Sequence, residues 1–134
     1  MNEENKRILL SILCHGSIFF SCSIVSVAIP LAILYIFKDR VVRANAKEAL
    51  NFHLTVFIWV IIAGIFILSL IMLYIGLTLV PLIGLLGRIM LYIGLILLLL
   101  FNLRIFIMPI IGIVAVMNEP SVPYRYPGIF RLIK

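Results

Sequence analysis

Apolar positions along this chain gather into three long runs, parted by a polar island, a short break and a polar end. Ile8 to Phe37 carries no charge, and the island KDRVVRANAKEALNFH follows from Lys38 to His53. Ala49 to Gly87 is again uncharged, and a third apolar stretch runs from Ile89 to Met117. A helix needs about 20 apolar residues to cross a bilayer. The pattern therefore predicts an all-α, polytopic helical membrane protein, a single transmembrane domain over residues 1–134. Its three transmembrane helices are expected over about 8–37, 52–78 and 89–117. The first would be about 45 Å long against a hydrocarbon core of about 30 Å, so tilt or a kink at Pro30 must absorb the excess. Ser11, Ser17, Ser21, Ser23, Ser26 and Gly16 give that helix small, weakly polar faces suited to close packing in lipid.

The island has its own periodicity. Asp39 is placed to cap a helix N-terminus and precedes Arg43 by one helical turn. Arg40, Arg43 and Lys47 share one face, while Val42, Ala46, Ala49, Leu50 and His53 recur at intervals of three and four on another. This predicts a short amphipathic helix over 39–51, lying in the membrane interface with its basic face towards headgroups. A docking surface for an acidic partner is the alternative.

Two features complicate the second half. Ile71 to Leu77 reads IMLYIGL, and Ile89 to Leu95 reads it again. The offset is a whole number of helical turns, as a local duplication would leave. Pro81, Gly84, Gly87 and Arg88 lie between the copies and supply turn chemistry. Asn102 and Arg104 then fall inside the third apolar stretch, where an arginine costs about 2.5–3.5 kcal/mol on insertion scales. Either Arg104 snorkels after a bend at Pro109, or it sits in a turn between two short segments. The second version makes four spans of about 14–18 residues, at or below the usual minimum, so three helices are preferred. The tail, 118–134, opens on NEPSVP and continues through Tyr124, Arg125, Tyr126 and Pro127 as an interfacial anchor.

Composition agrees: the chain is 65% hydrophobic with mean hydropathy +1.31, against about half apolar in a soluble domain. The net charge of +6 flanks apolar blocks, which suits orientation and anionic lipid rather than nucleic acid. With three crossings, Lys6, Arg7 and Arg88 share one side, while Lys38, Arg40, Arg43, Lys47, Arg125, Arg131 and Lys134 share the other. The positive-inside rule then puts residues 38–51 and the C-terminus in the cytoplasm and the N-terminus outside.

Candidate chemistry is sparse. Cys14 and Cys22 lie in one apolar run at a spacing that disfavours a disulfide within a helix. His15 and His53 have no acidic companions, so His15 is expected in helix packing rather than at a metal. Glu3, Glu4, Asp39, Glu48 and Glu119 all fall outside the expected spans. There is no P-loop, HExxH or CxxC pattern, and no convincing nucleophile–base set. The expectation is no enzyme, no cofactor and no bound metal.

ILCHGSIFFS in the first run, ANAKEALNFHL in the island and MPIIGIVAVMNEPSVPYRYPGIFRL at the end mark a likeness that extends from about Leu9 to Leu132, most of the chain. In that order they resemble small bacterial and cyanobacterial membrane proteins related to the Tic-twenty-type subunit of the chloroplast inner-envelope import machinery. The most specific parts are Glu48 to Phe52 and Tyr124 to Pro127. The resemblance implies a bacterial plasma membrane or thylakoid location and a role near protein translocation or membrane-complex biogenesis. It supplies no catalytic residues.

The sequence reading is thus an accessory or assembly subunit of a larger membrane complex, in contact with the bilayer and with other subunits or further copies of itself. The alternative is an oligomeric channel with Asn102 and Arg104 lining a shared interior. The interaction candidates are Arg40, Arg43, Lys47, Glu48, Asn51, Phe52, Arg104, Tyr124, Arg125, Tyr126 and Pro127.

Overall fold

The computed structural model describes residues 2–20, 23–77 and 81–133. All regular elements among them are helical: α1 (Glu3–Gly16), a 3-10 turn (Ser17–Phe19), α2 (Ser23–Ile36), α3 (Arg40–Leu77) and α4 (Pro81–Asn118). They divide into two compact units, Met1–Val56 with Phe106–Lys134, and Phe57–Ile105.

In the first unit the expected helix over 8–37 is two helices. The break falls at the Gly–Ser stretch and not at Pro30, which sits inside α2. Ser17 explains the position: its hydroxyl donates to the Cys14 carbonyl at 2.7 Å, a local bond that competes with continued helix. The chain tightens into the 3-10 turn, and Phe20 is extended (φ −79°, ψ 90°). Ser21 and Cys22 lie outside the described residues. Beyond the break the chain folds back, so that Arg7 Nε and Nη2 donate to Asp39 Oδ2 at 2.9 and 2.7 Å. The Lys6 ammonium sits 5.8 Å from the centre of the Phe37 ring. α1 and α2 each have 14 residues and are about 21 Å long, well short of a bilayer core. The expected orientation is corrected with them. The N-terminal segment and the island were assigned to opposite sides of a membrane, but two charges in direct contact share a side.

The island helix is not separate either. It is the first part of α3, which runs 38 residues from Arg40 to Leu77, because no glycine or proline interrupts Arg40 to Ala63. The predicted faces are realised. Val42, Ala46, Ala49, Leu50 and His53 are buried, Arg40 and Arg43 are exposed, and Lys47 is half-buried. The apolar face meets protein rather than lipid: Val42, Ala46 and Ala49 form a core with Cys14 and Ile33, flanked by Leu10, Ile29, Leu34 and Phe37.

Asp39 caps α3 as expected, its Oδ1 accepting from the Val41 and Val42 amides at 2.8 and 3.0 Å. Its two oxygens therefore do different work, one capping and one holding α1. Burial alone would raise the carboxyl pKa, but the bonds from Arg7, Val42 and Val41 outweigh it and hold the pKa below its ordinary value. Asp39→Ala should cost about 1 kcal/mol for the cap, on top of the loss of the α1 clasp. Asp39→Asn, a good cap, should lose the clasp alone. Equal losses for the two variants in detergent-based unfolding would show that the cap contributes nothing.

In the second unit the expected third helix begins earlier than residue 89. α4 starts at Pro81, where a missing N–H costs a helix nothing. The stretch from Pro81 to Arg88, read as turn chemistry, is its opening. The two IMLYIGL copies consequently lie on different helices. Arg104 is half-buried within α4, which continues through Pro109 to Asn118, so the four-segment alternative is not found. Trp59 and Phe101 approach to 5.7 Å between ring centres, beside a groove of about 320 Å³ that also touches Ala63 and Phe66. Gly94 packs closely there: a Cβ would stand 3.0 Å from Phe66 Cε1 and 3.2 Å from Leu70 Cδ1, so those side chains would have to shift to admit one.

Among the described residues two helical stretches, Arg40–Ile75 and Arg88–Asn118, are long and apolar enough to cross a membrane. That is fewer than the three expected. The chain itself buries only 6% and 11% of their apolar windows, the reverse of a helix made for a soluble core.

Candidate functional site

The polar chemistry of the first unit converges on one face of α3, where Asn45, Glu48, Asn51, Phe52 and Thr55 follow at helical spacing. Against this face lies the tail. The Tyr124 amide donates to Asn45 Oδ1 at 2.9 Å. The chain then turns through Gly128, whose φ of 65° is left-handed backbone that glycine adopts without a Cβ clash. The Phe130 amide donates to Thr55 Oγ1 at 2.9 Å. Asn51 closes a two-way bond with Ile133, its Nδ2 donating to the carbonyl at 2.9 Å and its Oδ1 accepting from the amide at 2.8 Å. A segment without regular structure thus finds its backbone partners in a ladder of helix side chains, which is why it stays seated.

Two tyrosines fasten this strap. Tyr126 is 1% exposed and stacks on Phe52 with ring centres 4.4 Å apart. Its hydroxyl meets His15 Nδ1 at 2.8 Å. Tyr124 stands edge-on to Tyr126 at 5.0 Å and to His15 at 5.8 Å. Gly112 of α4 makes room for all three rings, since a Cβ there would lie 3.1 Å from Tyr126 Oη, 3.2 Å from His15 Cγ and 3.2 Å from Tyr124 Cδ1. Burial, reinforced by Tyr124, Glu48 and Cys14, pushes the Tyr126 phenol well above its ordinary pKa, so it acts as a donor.

The hydrogen bonds also fix both histidine tautomers. Asn45 Oδ1 already accepts from a backbone amide, so His15 Nε2, 3.3 Å away, must donate to it. His15 Nδ1 is then the acceptor for Tyr126. Asn45 Nδ2 completes the hub by donating to Ser11 Oγ at 3.0 Å. Ser17 spends its proton on Cys14, so its oxygen accepts from His53 Nε2 at 3.0 Å. This is a serine–histidine pair, but His53 is the donor and Ser17 is fully buried, which is not the geometry of an activated nucleophile.

The sequence-predicted residues separate into three groups. Glu48, Asn51, Phe52, Tyr124 and Tyr126 come together in the strap and its seat. Glu48 Oε1 accepts from Arg131 Nε and Nη2 at 3.3 and 3.2 Å, and Arg131 Nη2 also donates to the Tyr126 carbonyl at 3.2 Å. Arg40, Arg43, Arg125 and Pro127 are exposed on the first unit, with Lys47 half-buried beside them. Arg104 belongs to the second unit. Asn102, in that same unit, bonds to the Leu98 carbonyl of its own helix at 2.8 Å. Sequence reasoning missed Asn45 and Thr55, and for Asn45 the signal was present: it is a polar residue one position from the apolar face carried by Val42, Ala46 and Ala49.

The model of one protein family, described as the magnetosome magnetite crystal formation protein family (MamF_MmsF), matches residues 6–133. No curated protein and no solved structure matches the chain. This finding overturns the resemblance to the Tic-twenty-type import subunit, and with it the cyanobacterial, thylakoid and protein-transport expectations. The segments behind that resemblance, Glu48 to Phe52 and Tyr124 to Pro127, build the strap and its seat. They speak to packing rather than to a process.

Proposed function

The chain belongs to the MamF/MmsF family of magnetosome magnetite crystal formation proteins, and from that premise we propose that it is a small, non-enzymatic protein of the magnetosome membrane acting in crystal formation. The observation that carries this reading is the extent of the match, which takes in all four helices and the strap. The architecture supports it. α3 and α4 present apolar surfaces suited to lipid or to neighbouring membrane helices. The clasped polar end holds its backbone rigidly and displays Arg40, Arg43 and Arg125 outward. Such a surface suits assembly and contact at a membrane face; the buried Ser11, Ser17, His15 and His53 are held in hydrogen bonds within the unit. The test is deletion of the gene in a magnetite-forming bacterium, with crystal size and shape measured by electron microscopy. Altered crystals, restored by the intact chain, are expected. Crystals indistinguishable from the parent's would remove the reading.

A further inference from the structure

We propose that the groove between α3 and the strap, bounded by Lys47, Arg125 and Arg131, is a binding site for the phosphate group of an anionic membrane lipid. The inference rests on the membrane reading above. The groove has a volume of about 200 Å³ and is also lined by Glu48, Asn51 and Tyr124. Three basic side chains thus line a small concave surface together with a single carboxylate, Glu48, which is paired with Arg131.

The backbone that carries Arg125 is fixed on both sides, and Arg131 is held at one edge. Tyr124 is fixed by its amide on Asn45, and Tyr126 by its ring on Phe52. Both rings lie against His15, and the residue between them is exposed. That residue is Arg125, which has no protein partner among the described residues. Arg131 is steadied on one edge by Glu48 and the Tyr126 carbonyl through Nε and Nη2. Its Nη1 has no partner among the described residues, and its side chain is 51% exposed. Two guanidinium groups held by a rigid backbone suit the planar, multidentate recognition of phosphate oxygens.

The position along α3 points to lipid. Lys47 and Glu48 are the last charges before an uncharged apolar run that begins after His53. The groove thus lies on the turns where a spanning helix leaves the hydrocarbon and enters the headgroup layer.

The test uses the full chain purified in a neutral detergent. Thermal unfolding is followed while phosphatidylglycerol, phosphatidylcholine or inorganic phosphate is titrated separately. Phosphatidylglycerol is expected to raise the Tm saturably, and phosphatidylcholine to do so much less. Arg125→Gln and Lys47→Gln should each weaken apparent phosphatidylglycerol binding about fivefold. Arg125→Gln should leave the lipid-free Tm unchanged. Arg40→Gln removes the same charge from α3 outside the groove and should leave binding unchanged. Equal weakening by Arg40→Gln would reduce the effect to diffuse surface charge and overturn the site. Unchanged binding in Arg125→Gln, or equal response to phosphatidylcholine, would overturn it too. Saturable stabilisation by inorganic phosphate, dependent on Arg125 and competing with the lipid, would retain a phosphate site and overturn its assignment to lipid. Binding of polyglutamate in place of lipid would overturn the proposal in favour of an acidic protein partner. None of these outcomes depends on crystal phenotype, so failure here leaves the magnetosome reading standing.

Discussion

Tyr126→Ala is expected to cost about 3–5 kcal/mol, as loss of a buried aromatic ring does, and to release the strap. The ring is 1% exposed and stacks on Phe52 at 4.4 Å, so truncation removes packing on a side chain that is itself buried. The hydroxyl adds a separate loss, because His15 Nδ1 is left without a donor inside the unit. Tyr126→Phe isolates that second effect. It keeps the ring and should cost about 1–3 kcal/mol, the range for a buried group that loses its partner. Unfolding of the full chain in mixed detergent micelles gives the two values. Limited proteolysis gives the local readout, with the bonds after Tyr124 and Arg131 becoming cleavable in Tyr126→Ala while the parent resists. If Tyr126→Ala falls within about 1 kcal/mol of the parent and the tail remains protected, the strap is not held by this ring and the account of the site fails.

The size of that effect shows what a tail rich in proline and tyrosine is for. A sequence pattern places Tyr124 to Pro127 at an interface, which is where aromatic residues beside basic ones often sit. The fold uses them as fasteners. The difference arises because the tail's partners are remote: Asn45 lies 79 residues from Tyr124, and Asn51 lies 82 from Ile133. Periodicity within a window has no access to such pairs. What periodicity could reach was the division of the island into a basic face and an apolar face, because both faces repeat within a few turns. Asp39 as a cap was equally legible, since capping is chemistry between a side chain and amides two and three positions on.

The break after Gly16 was hidden for a different reason. The run from Ile8 to Phe37 is uncharged throughout, and hydropathy alone treats it as one span. The decisive group is a single hydroxyl, Ser17, which bonds backward to Cys14 and sideways to His53. At this point the run becomes two short helices, and the island comes back to the N-terminal segment. The orientation drawn from counting charges followed from the assumed span and changed with it. Process was less legible still. The motifs most specific in appearance hold the strap in place, and residues under that constraint carry little information about what the protein assembles with.

Asn45→Leu is expected to destabilise the chain by about 3–5 kcal/mol, although it replaces a polar side chain with an apolar one of similar size in a strongly apolar protein. Simple hydropathy predicts the opposite sign. The reason lies in what Asn45 satisfies: the Tyr124 amide, the His15 Nε2–H and the Ser11 hydroxyl all depend on it. Leucine fills the space, excludes water and leaves those groups without their partner, at about 1–3 kcal/mol for each buried group unsatisfied. Asn45→Ala removes the same bonds but leaves a polar cavity that a water molecule can enter, so it should be less harmful than the leucine variant despite its smaller size. The order parent, alanine, leucine is thus the signature of a hydrogen-bond hub, whereas parent, leucine, alanine is the signature of ordinary packing. Denaturation of the three proteins in the same micelles distinguishes the orders, and a leucine variant as stable as the parent would show that the His15–Tyr124–Tyr126 cluster holds together without Asn45.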